Sequence, residues 1–246
     1  LRESRIGLEK ESLRVNLDGN IAQTPHPRAL GSALTHPYIT TDFSEALLEF
    51  VTPPFFDARE TLQFLEHVHQ FTYQHLEPEI LWCASMPCML QGDDAVPIAD
   101  YGHSNVGQMK KVYREGLSRR YGRVMQTISG IHFNYSLPET FWRRLHPDSD
   151  VRALQTRIND GYFACVRNFQ RFGWLVPLLF GSSPAICKSF LPEGASGFES
   201  FDSGTLFMPY ATSLRMSDVG YKHSVQSELN IDYTNREAHV RSLTAA

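Results

Sequence analysis

Residues 6–15 read Ile6-Gly7-Leu8-Glu9-Lys10-Glu11-Ser12-Leu13-Arg14-Val15, and the fold is decided in this stretch. We interpret it as a β-strand. Side chains two residues apart point the same way and lie about 7 Å apart along a strand, so Glu9 and Glu11 share a face. Carboxylates in this arrangement can each hold one of two divalent ions, which clamp a transferring phosphoryl group when they lie roughly 3.5 to 4 Å apart. A Glu-x-Glu pair alone is more often the solvated face of a half-buried strand, so other segments must support the reading.

The composition is that of an ordinary globular protein. The 246 residues are 42% hydrophobic and 20% charged, and the formal net charge of −4 gives no general attraction to nucleic acid or to anionic membranes. The longest apolar run, residues 172–180, is interrupted by Gly173 and Pro177 and is too short to span a bilayer. We therefore expect a cytoplasmic protein with no nucleic-acid or membrane partner.

Basic residues are concentrated between positions 110 and 123, and we interpret them as a solvated helix face with one or two functional members. They are Lys110, Lys111, Arg114, Arg119, Arg120 and Arg123.

The four cysteines are too scattered for a disulfide scaffold, and no second Cys or His pair completes a zinc pattern. We expect reduced, buried thiols at Cys83, Cys88, Cys165 and Cys187. The chain begins without methionine and without a leader, so both ends are candidates for truncation.

Further elements follow from hydrophobic spacing. Residues 16–37 are rich in turn formers and predict a long loop. Residues 38–52 are ambiguous, but β-branched ends and the Pro53-Pro54 stop favour a single strand. That strand would align Glu45, Leu47 and Glu49, whereas Asp42 has the opposite parity and would need a bend to join them.

Helices are predicted from about Asp57, as N-cap, to Leu76; over residues 106–117, ending near Gly122; and from about Asp150 to Phe172. Within residues 125–137, Ile131, Phe133, Tyr135 and Leu137 alternate with His132, Asn134 and Ser136, which is the periodicity of a strand.

Three segments thus combine apolar positions with groups that bind hard cations: Glu9 and Glu11, then Asp42 and Glu49, then His132 with Asn134. Oxygen ligands with a single imidazole suit Mg²⁺, or Mn²⁺, better than a thiolate metal. For each residue alone, solvent exposure or a structural hydrogen bond is the commoner explanation, and the recurrence of the pattern carries the hypothesis.

Several familiar catalytic patterns are absent. There is no Gly-x-Gly-x-x-Gly, Gln108 follows Gly107 where a P-loop needs lysine, and there is no Gly-x-Ser-x-Gly elbow. Residues 208–221 place one arginine, Arg215, among many hydrogen-bonding groups, as bidentate carboxylate recognition requires. Spacing alone favours the plainer alternative, an ion pair between Arg215 and Asp218.

Taken together, these segments resemble the proteobacterial type of glutamate-cysteine ligase. The resemblance is ungapped in its key blocks and spreads over most of residues 7–221. The blocks are IGLEKESLRV, LGSALTHPYITTDFSEALLEFVTP, SMPC, YREGLSRRYGRVMQTISGIHFNYSLP, GYF with RNFQRFGWLVPLLFGSSPAIC, and MPYATSLRMSDVGY.

The resemblance implies an α+β fold: a curved, mainly antiparallel sheet with helices outside, like the glutamine-synthetase core, in one catalytic domain over residues 1–246. Family members extend further and carry a metal-binding glutamate and an arginine beyond this chain's end, which implies C-terminal truncation. The family's metal ligands fall on Glu9, Glu11, Asp42, Glu49 and His132. Its substrate contacts fall on Tyr113, Arg114, Gln126, Asn134, Arg215 and Tyr221, with Arg114 and Arg215 as the catalytic cations.

The implied reaction is ATP-dependent ligation of the L-glutamate γ-carboxylate to the amine of L-cysteine through γ-glutamyl phosphate, the first step of glutathione synthesis. Mg²⁺ is the implied metal and ATP the co-substrate, and we take a monomer as the expected state. The alternatives are another carboxylate-amine ligase of the same superfamily and a non-catalytic module that binds metal and nucleotide.

Overall fold

The longest strand among the described residues contains the stretch quoted above, and the first sheet is built around it. In a computed structural model, residues 3–87, 89–181, 183–191, 195–214 and 230–245 are described. The strands are β1 (Arg5–Val15), β2 (Ile39–Thr41), β3 (Leu47–Val51), β4 (Ile80–Leu81), β5 (Ile131–Ser136), β6 (Ala185–Cys187), β7 (Glu199–Ser200) and β8 (Thr205–Phe207). The helices are α1 (Ala58–Tyr73), α2 (Asn105–Tyr121), α3 (Glu139–Leu145), α4 (Val151–Phe172), α5 (Leu175–Phe180) and α6 (Arg236–Ala245).

The chain divides into two compact units. One comprises Arg2–Ser136 with Ile186–Phe207, and the other comprises Leu137–Ala185 with Met208–Ala246. The first unit contains β1 to β5 with α1 and α2, and the second contains α3 to α6. A single catalytic domain over residues 1–246 stays a prediction.

The first sheet is antiparallel in each of its strand pairs. Its order is β2-β3-β1-β4, and β5 also pairs with β1. A second sheet has the order β6-β8-β7. Helices and antiparallel strands therefore coexist along the chain, as the α+β prediction requires.

One face of the first sheet packs on α1. Leu48 and Phe50 of β3 are fully buried against Leu65 of α1, and Leu8 of β1 joins the same cluster. Side chains alternate along a strand, so Glu9, Glu11 and Glu49 point to the opposite face. The apolar cluster thereby orients the three glutamates, because a one-residue slip of register would bury charges against α1.

The far end of β1 is held by a buried arginine. Arg14 is 0% exposed, and its guanidinium donates to Glu79 Oε2 at 2.6 Å, to the Thr24 side chain and carbonyl, and to the Glu45 carbonyl. Breaking a buried ion pair is strongly destabilising, because it leaves an uncompensated charge in the interior. The contacts of Arg14 therefore hold β1 to the surrounding loops.

The prediction of one strand over residues 38–52 is wrong. The chain forms β2, turns between Asp42 and Ala46, and returns as β3. The Ser44 hydroxyl accepts from Ala46 N and donates to the Pro97 carbonyl, which are local contacts that compete with an extended backbone. The Glu45 carboxylate accepts from the His26 and Asp100 amides, so it braces two loops instead of joining Glu49.

The three long helices were predicted correctly. Asp57, Ser104 and Asp150 are the N-caps of α1, α2 and α4, and each side chain accepts from backbone amides of the first turn. Gly122 ends α2 at a positive φ of 76°, which favours glycine.

Burial was predicted less well. The apolar residues Val106, Met109 and Val112 of α2 are each more than half exposed, as are Ile131 and Phe133 of β5. Among the described cysteines, Cys83 and Cys165 are free thiols, as expected, and the Cys187 sulfur accepts from the Ser189 hydroxyl. Cys83 and Cys165 are exposed rather than buried, because spacing shows no more than which residues share a face, and Cys88 lies outside the described residues.

None of the described helices combines the length and apolar character needed to cross a bilayer.

Two glycines of α2 provide a matched test of helix packing. A Cβ at Gly107 would lie 2.6 Å from the Tyr101 carbonyl oxygen, whereas a Cβ at Gly116 meets nothing within 4 Å. We expect Gly107→Ala to destabilise the protein by about 1 to 3 kcal/mol through overpacking. Gly116→Ala should stabilise it by up to about 1 kcal/mol through helix propensity. Urea unfolding measures both, and equal effects of the two substitutions would contradict this packing.

Candidate functional site

Strand register brings the predicted ligands together. In the β1–β5 pair, Glu9 lies opposite His132, and in the β1–β3 pair, Glu11 lies opposite Glu49. Directly opposed residues of an antiparallel pair project to the same face with Cβ atoms about 4.5 to 5.5 Å apart. The central strand thus gathers carboxylates and an imidazole from both of its neighbours.

Glu9, Glu49 and His132 form the centre of the site. One ligand atom from each residue lies within 4.8 Å of the other two. The Glu9 carboxylate is also held from β5, because it contacts His132 Nδ1 at 2.9 Å and accepts from Asn134 Nδ2 at 3.0 Å. These hydrogen bonds fix the direction in which both Glu9 oxygens point.

Glu11 lies beside this trio rather than within it. One of its carboxylate oxygens accepts from the Gly130 amide at 2.7 Å, and its own amide donates to the Gly130 carbonyl. Sequence patterning missed Gly130, because a main-chain donor leaves no signature in residue type.

Asp42 joins through the turn between β2 and β3. Its charge acts on Glu49 together with the charges of Glu11 and Glu9, so the bend that its parity demanded is present. All five residues predicted as metal ligands are therefore close enough to interact electrostatically. Their role as ligands stays a prediction.

The crowding of carboxylates changes their acidity. Burial and, after it, the neighbouring charges of Asp42, Glu11 and Glu9 together raise the pKa of Glu49 to about 7, whereas His132 opposes them. The hydrogen bond that the His132 ring makes to Glu9 raises the pKa of His132 above its usual value; burial opposes this shift, and the charges of Glu11, Glu9 and Glu49 add to it. The site thus disfavours negative charge on Glu49 and favours positive charge on His132.

A divalent cation fits this donor set. Carboxylate oxygens with one imidazole suit Mg²⁺ or Mn²⁺, and a bound cation would offset both the burial and the carboxylate repulsion that raise the pKa of Glu49. Glu9, Glu49 and His132 would hold the ion, with Glu11 and Asp42 beside them.

The other predicted residues fall into three groups. Arg114 of α2 reaches the Asp42 turn, where its Nε donates to the Asp42 carbonyl at 2.6 Å. Gln126 has a buried Nε2 without a hydrogen-bond partner among the described residues, whereas Tyr113 is 62% exposed. Arg215 and Tyr221 lie outside the described residues.

The chain thus combines antiparallel sheets with helices, and it brings Glu9, Glu49 and His132 together from three strands of one sheet. A model of the glutamate-cysteine ligase family matches residues 1–246. The chain belongs to the glutamate-cysteine ligase family.

Individual relatives agree. Glutamate–cysteine ligase of Alcanivorax borkumensis is 56% identical over 98% of this chain and 46% of its own length. The enzyme of the same name from Photorhabdus laumondii is 49% identical over 100% of this chain and 48% of its own length. The chain therefore spans about half the length of these curated relatives.

Solved structures show the same fold. The crystal structure of glutamate–cysteine ligase from Francisella tularensis in complex with AMP matches 99% of this chain and 47% of its own, with a TM-score of 0.90 and 40% identity. A bifunctional glutathione synthetase from Pasteurella multocida matches 99% of this chain and 30% of its own, with a TM-score of 0.80 and 32% identity. The expectation of a mixed fold with antiparallel sheets is confirmed at this level.

The raised pKa of Glu49 predicts a pH-dependent stability in EDTA. Below about pH 4.5, the usual pKa, this carboxyl is protonated in both folded and unfolded chains. As pH rises towards about 7, the unfolded chain ionises first, so the folded state loses relative stability. Glu49→Gln removes this loss, and its advantage in melting temperature over wild type should grow between these two pH values.

The control is Glu66→Gln, which makes the same charge change on α1. Its melting-temperature difference from wild type should be smaller and should vary little with pH, because Glu66 is exposed. A pH-independent difference for Glu49→Gln would contradict the described repulsion.

Proposed function

We propose that the protein containing this chain is a glutamate–cysteine ligase, which joins the γ-carboxylate of L-glutamate to the amine of L-cysteine at the expense of ATP. The observation that carries the proposal is the convergence of Glu9, Glu49 and His132 from β1, β3 and β5 within 4.8 Å of one another. Family membership over residues 1–246 and the AMP complex of the Francisella relative support it.

The reaction we propose has two steps. An oxygen of the glutamate γ-carboxylate attacks the terminal phosphorus of ATP, which forms γ-glutamyl phosphate and releases ADP. The cysteine amine then attacks the acyl carbon, the amine loses a proton, and inorganic phosphate leaves. A general base has little to do, because the acyl phosphate is already activated and only the cysteine ammonium needs to lose a proton.

The first step brings two anions together, so charge neutralisation and positioning are the main tasks of the site. Mg²⁺ bound at the acidic cluster would supply positive charge beside the phosphates. Glu9 is suited to its share of this task, because His132 and Asn134 hold both of its oxygens in place before substrate arrives. Asn134 is also a proposed substrate contact.

Two arginines complete the proposed electrostatics. The hydrogen bond to the Asp42 carbonyl places Arg114 beside the acidic cluster. We assign Arg114 the role of neutralising the negative charge of the transferring phosphoryl group. We assign Arg215 a bidentate contact with a substrate carboxylate. Tyr113, Gln126 and Tyr221 are the remaining proposed substrate-binding residues. The Nε2 of Gln126 is buried and has no hydrogen-bond partner in the part of the chain that the structure describes, so it is suited to donate to the substrate.

Further parts of the proposal follow from the family. We propose a glutamine-synthetase-like core for the sheet that carries the cluster, cytoplasmic location and a monomeric state. The antiparallel pairs that β1 makes with β3 and β5 support the first of these.

The metal role of the cluster is tested by Glu9→Gln in the complete gene product. We expect the rate of γ-glutamylcysteine formation to fall by about 100-fold or more, because a neutral amide cannot hold the cation or the charge pattern. Phosphate release coupled to product analysis measures it. Glu66→Gln on α1 should leave turnover unchanged, and near-normal turnover by a folded Glu9→Gln protein would remove Glu9 from the metal site.

The identity of the amine is tested with a panel of acceptors matched to cysteine. Serine and 2-aminobutyrate differ from cysteine mainly at the thiol, and glycine lacks the side chain. We expect kcat/KM to be highest for cysteine. Equal values across the panel would retire the cysteine assignment in favour of another carboxylate-amine ligase, and Mg-ATP binding without turnover would favour a non-catalytic module.

A further inference from the structure

A buried tyrosine outside the acidic cluster contacts the turn that carries Asp42. Tyr101 is 7% exposed and lies in the loop before α2. Its hydroxyl accepts from Thr41 Oγ1 at 2.9 Å and lies 2.7 Å from the Thr41 carbonyl and 3.3 Å from the Asp42 carbonyl, to either of which it can donate. The phenol therefore bonds to the main chain at the start of the Asp42 turn.

The ring of the same tyrosine faces two cations of α2. The guanidinium carbon of Arg114 lies 4.7 Å from the ring centroid, and Lys110 Nζ lies 4.8 Å from it. Lys110 and Arg114 are one helical turn apart, where like charges repel, and the negative face of an aromatic ring offsets that repulsion. Arg114 also donates to the Asp42 carbonyl at 2.6 Å, so Tyr101, Arg114 and the Asp42 turn contact one another pairwise.

The main chain of Tyr101 is fixed as well. Gly107, in the first turns of α2, has no side chain, which lets the helix approach the carbonyl groups of Tyr101 and Gly102 closely. Burial raises the pKa of the Tyr101 phenol, so it stays protonated and able to donate at neutral pH. Ring, hydroxyl and backbone are thus all constrained.

We infer that Tyr101 is a positioning residue, which acts by holding the Arg114 guanidinium and the Asp42 turn in fixed relation to the acidic cluster. The inference rests on the proposed ligase function. A tyrosine that only filled the core would be replaced by phenylalanine at little cost to catalysis, because phenylalanine keeps the ring and its contacts with both cations. The hydroxyl is needed to bond the turn, so its removal separates positioning from packing.

The test is a kinetic double-mutant cycle in the complete gene product, with Tyr101→Phe, Arg114→Ala and the double variant. Misplacement of a charged group by about 1 Å can cost on the order of 100-fold, so we expect Tyr101→Phe to lower kcat by about 10- to 100-fold, with a smaller change in KM for ATP. In the Arg114→Ala background the same change should cost several-fold less, because the part of its effect that passes through Arg114 is already lost.

The matched control is Tyr73→Phe, at a half-exposed tyrosine of α1, which should leave kcat and KM unchanged. A kcat for Tyr101→Phe equal to that of wild type, or a loss as large with Arg114→Ala as without it, would overturn the inference. The second of these results would mean that the hydroxyl only stabilises the fold.

A Mn²⁺ titration of the same variants separates this inference from the proposed function. Tyr101→Phe should weaken Mn²⁺ binding measurably, because Asp42 lies on the turn that the hydroxyl holds. If the wild-type protein forms no γ-glutamylcysteine, the proposed function fails. The positioning role of Tyr101 is then tested by comparing the Mn²⁺ dissociation constants of wild type and Tyr101→Phe. An unchanged constant, or no measurable Mn²⁺ binding by wild type, would then overturn the positioning role.

Discussion

The antiparallel pairing of β1 with β3 on one side and β5 on the other is the constraint on which the site depends. It places Glu11 opposite Glu49 and Glu9 opposite His132, so groups far apart in sequence face the same space. Opposed like charges destabilise a strand pair, and burial together with neighbouring charges raises the pKa of Glu49 to about 7. The sheet therefore tolerates a local electrostatic cost, as is common where a protein is built to bind a ligand.

The register resists that repulsion because it is held from elsewhere. Leu48 and Phe50 of β3 are buried against α1 on the opposite face, and a slip of one residue would turn Glu49 towards α1 in their place. Arg14, with no exposed surface, anchors the far end of β1 through Glu79 and Thr24. Apolar burial and the buried ion pair of Arg14 with Glu79 thus hold the register that brings the glutamates together.

Local sequence patterns predicted those features of the structure that depend on residues close together in sequence. The two-residue period of Glu9 and Glu11 predicted β1 and its acidic face, and side-chain caps such as Asp57 predicted where helices begin. The sequence indicated that Asp42 would need a bend to face Glu49, but it did not predict the turn itself. The turn depends on contacts with Pro97 and Tyr101, which are distant in sequence. The role of Tyr101 and the exposure of the α2 apolar residues depend on which elements pack together. The spacing of residues within one element carries no information about that packing. The family resemblance, rather than spacing, singled out Arg114 and Gln126.

The central claim is that Glu9, Glu49 and His132 from three strands bind one divalent cation. Anomalous diffraction from crystals of the complete protein soaked in Mn²⁺ tests it most directly. The account predicts a manganese peak coordinated by the Glu9 and Glu49 carboxylates and the His132 ring. Manganese bound only at other residues, with this trio in contact with water alone, would contradict it.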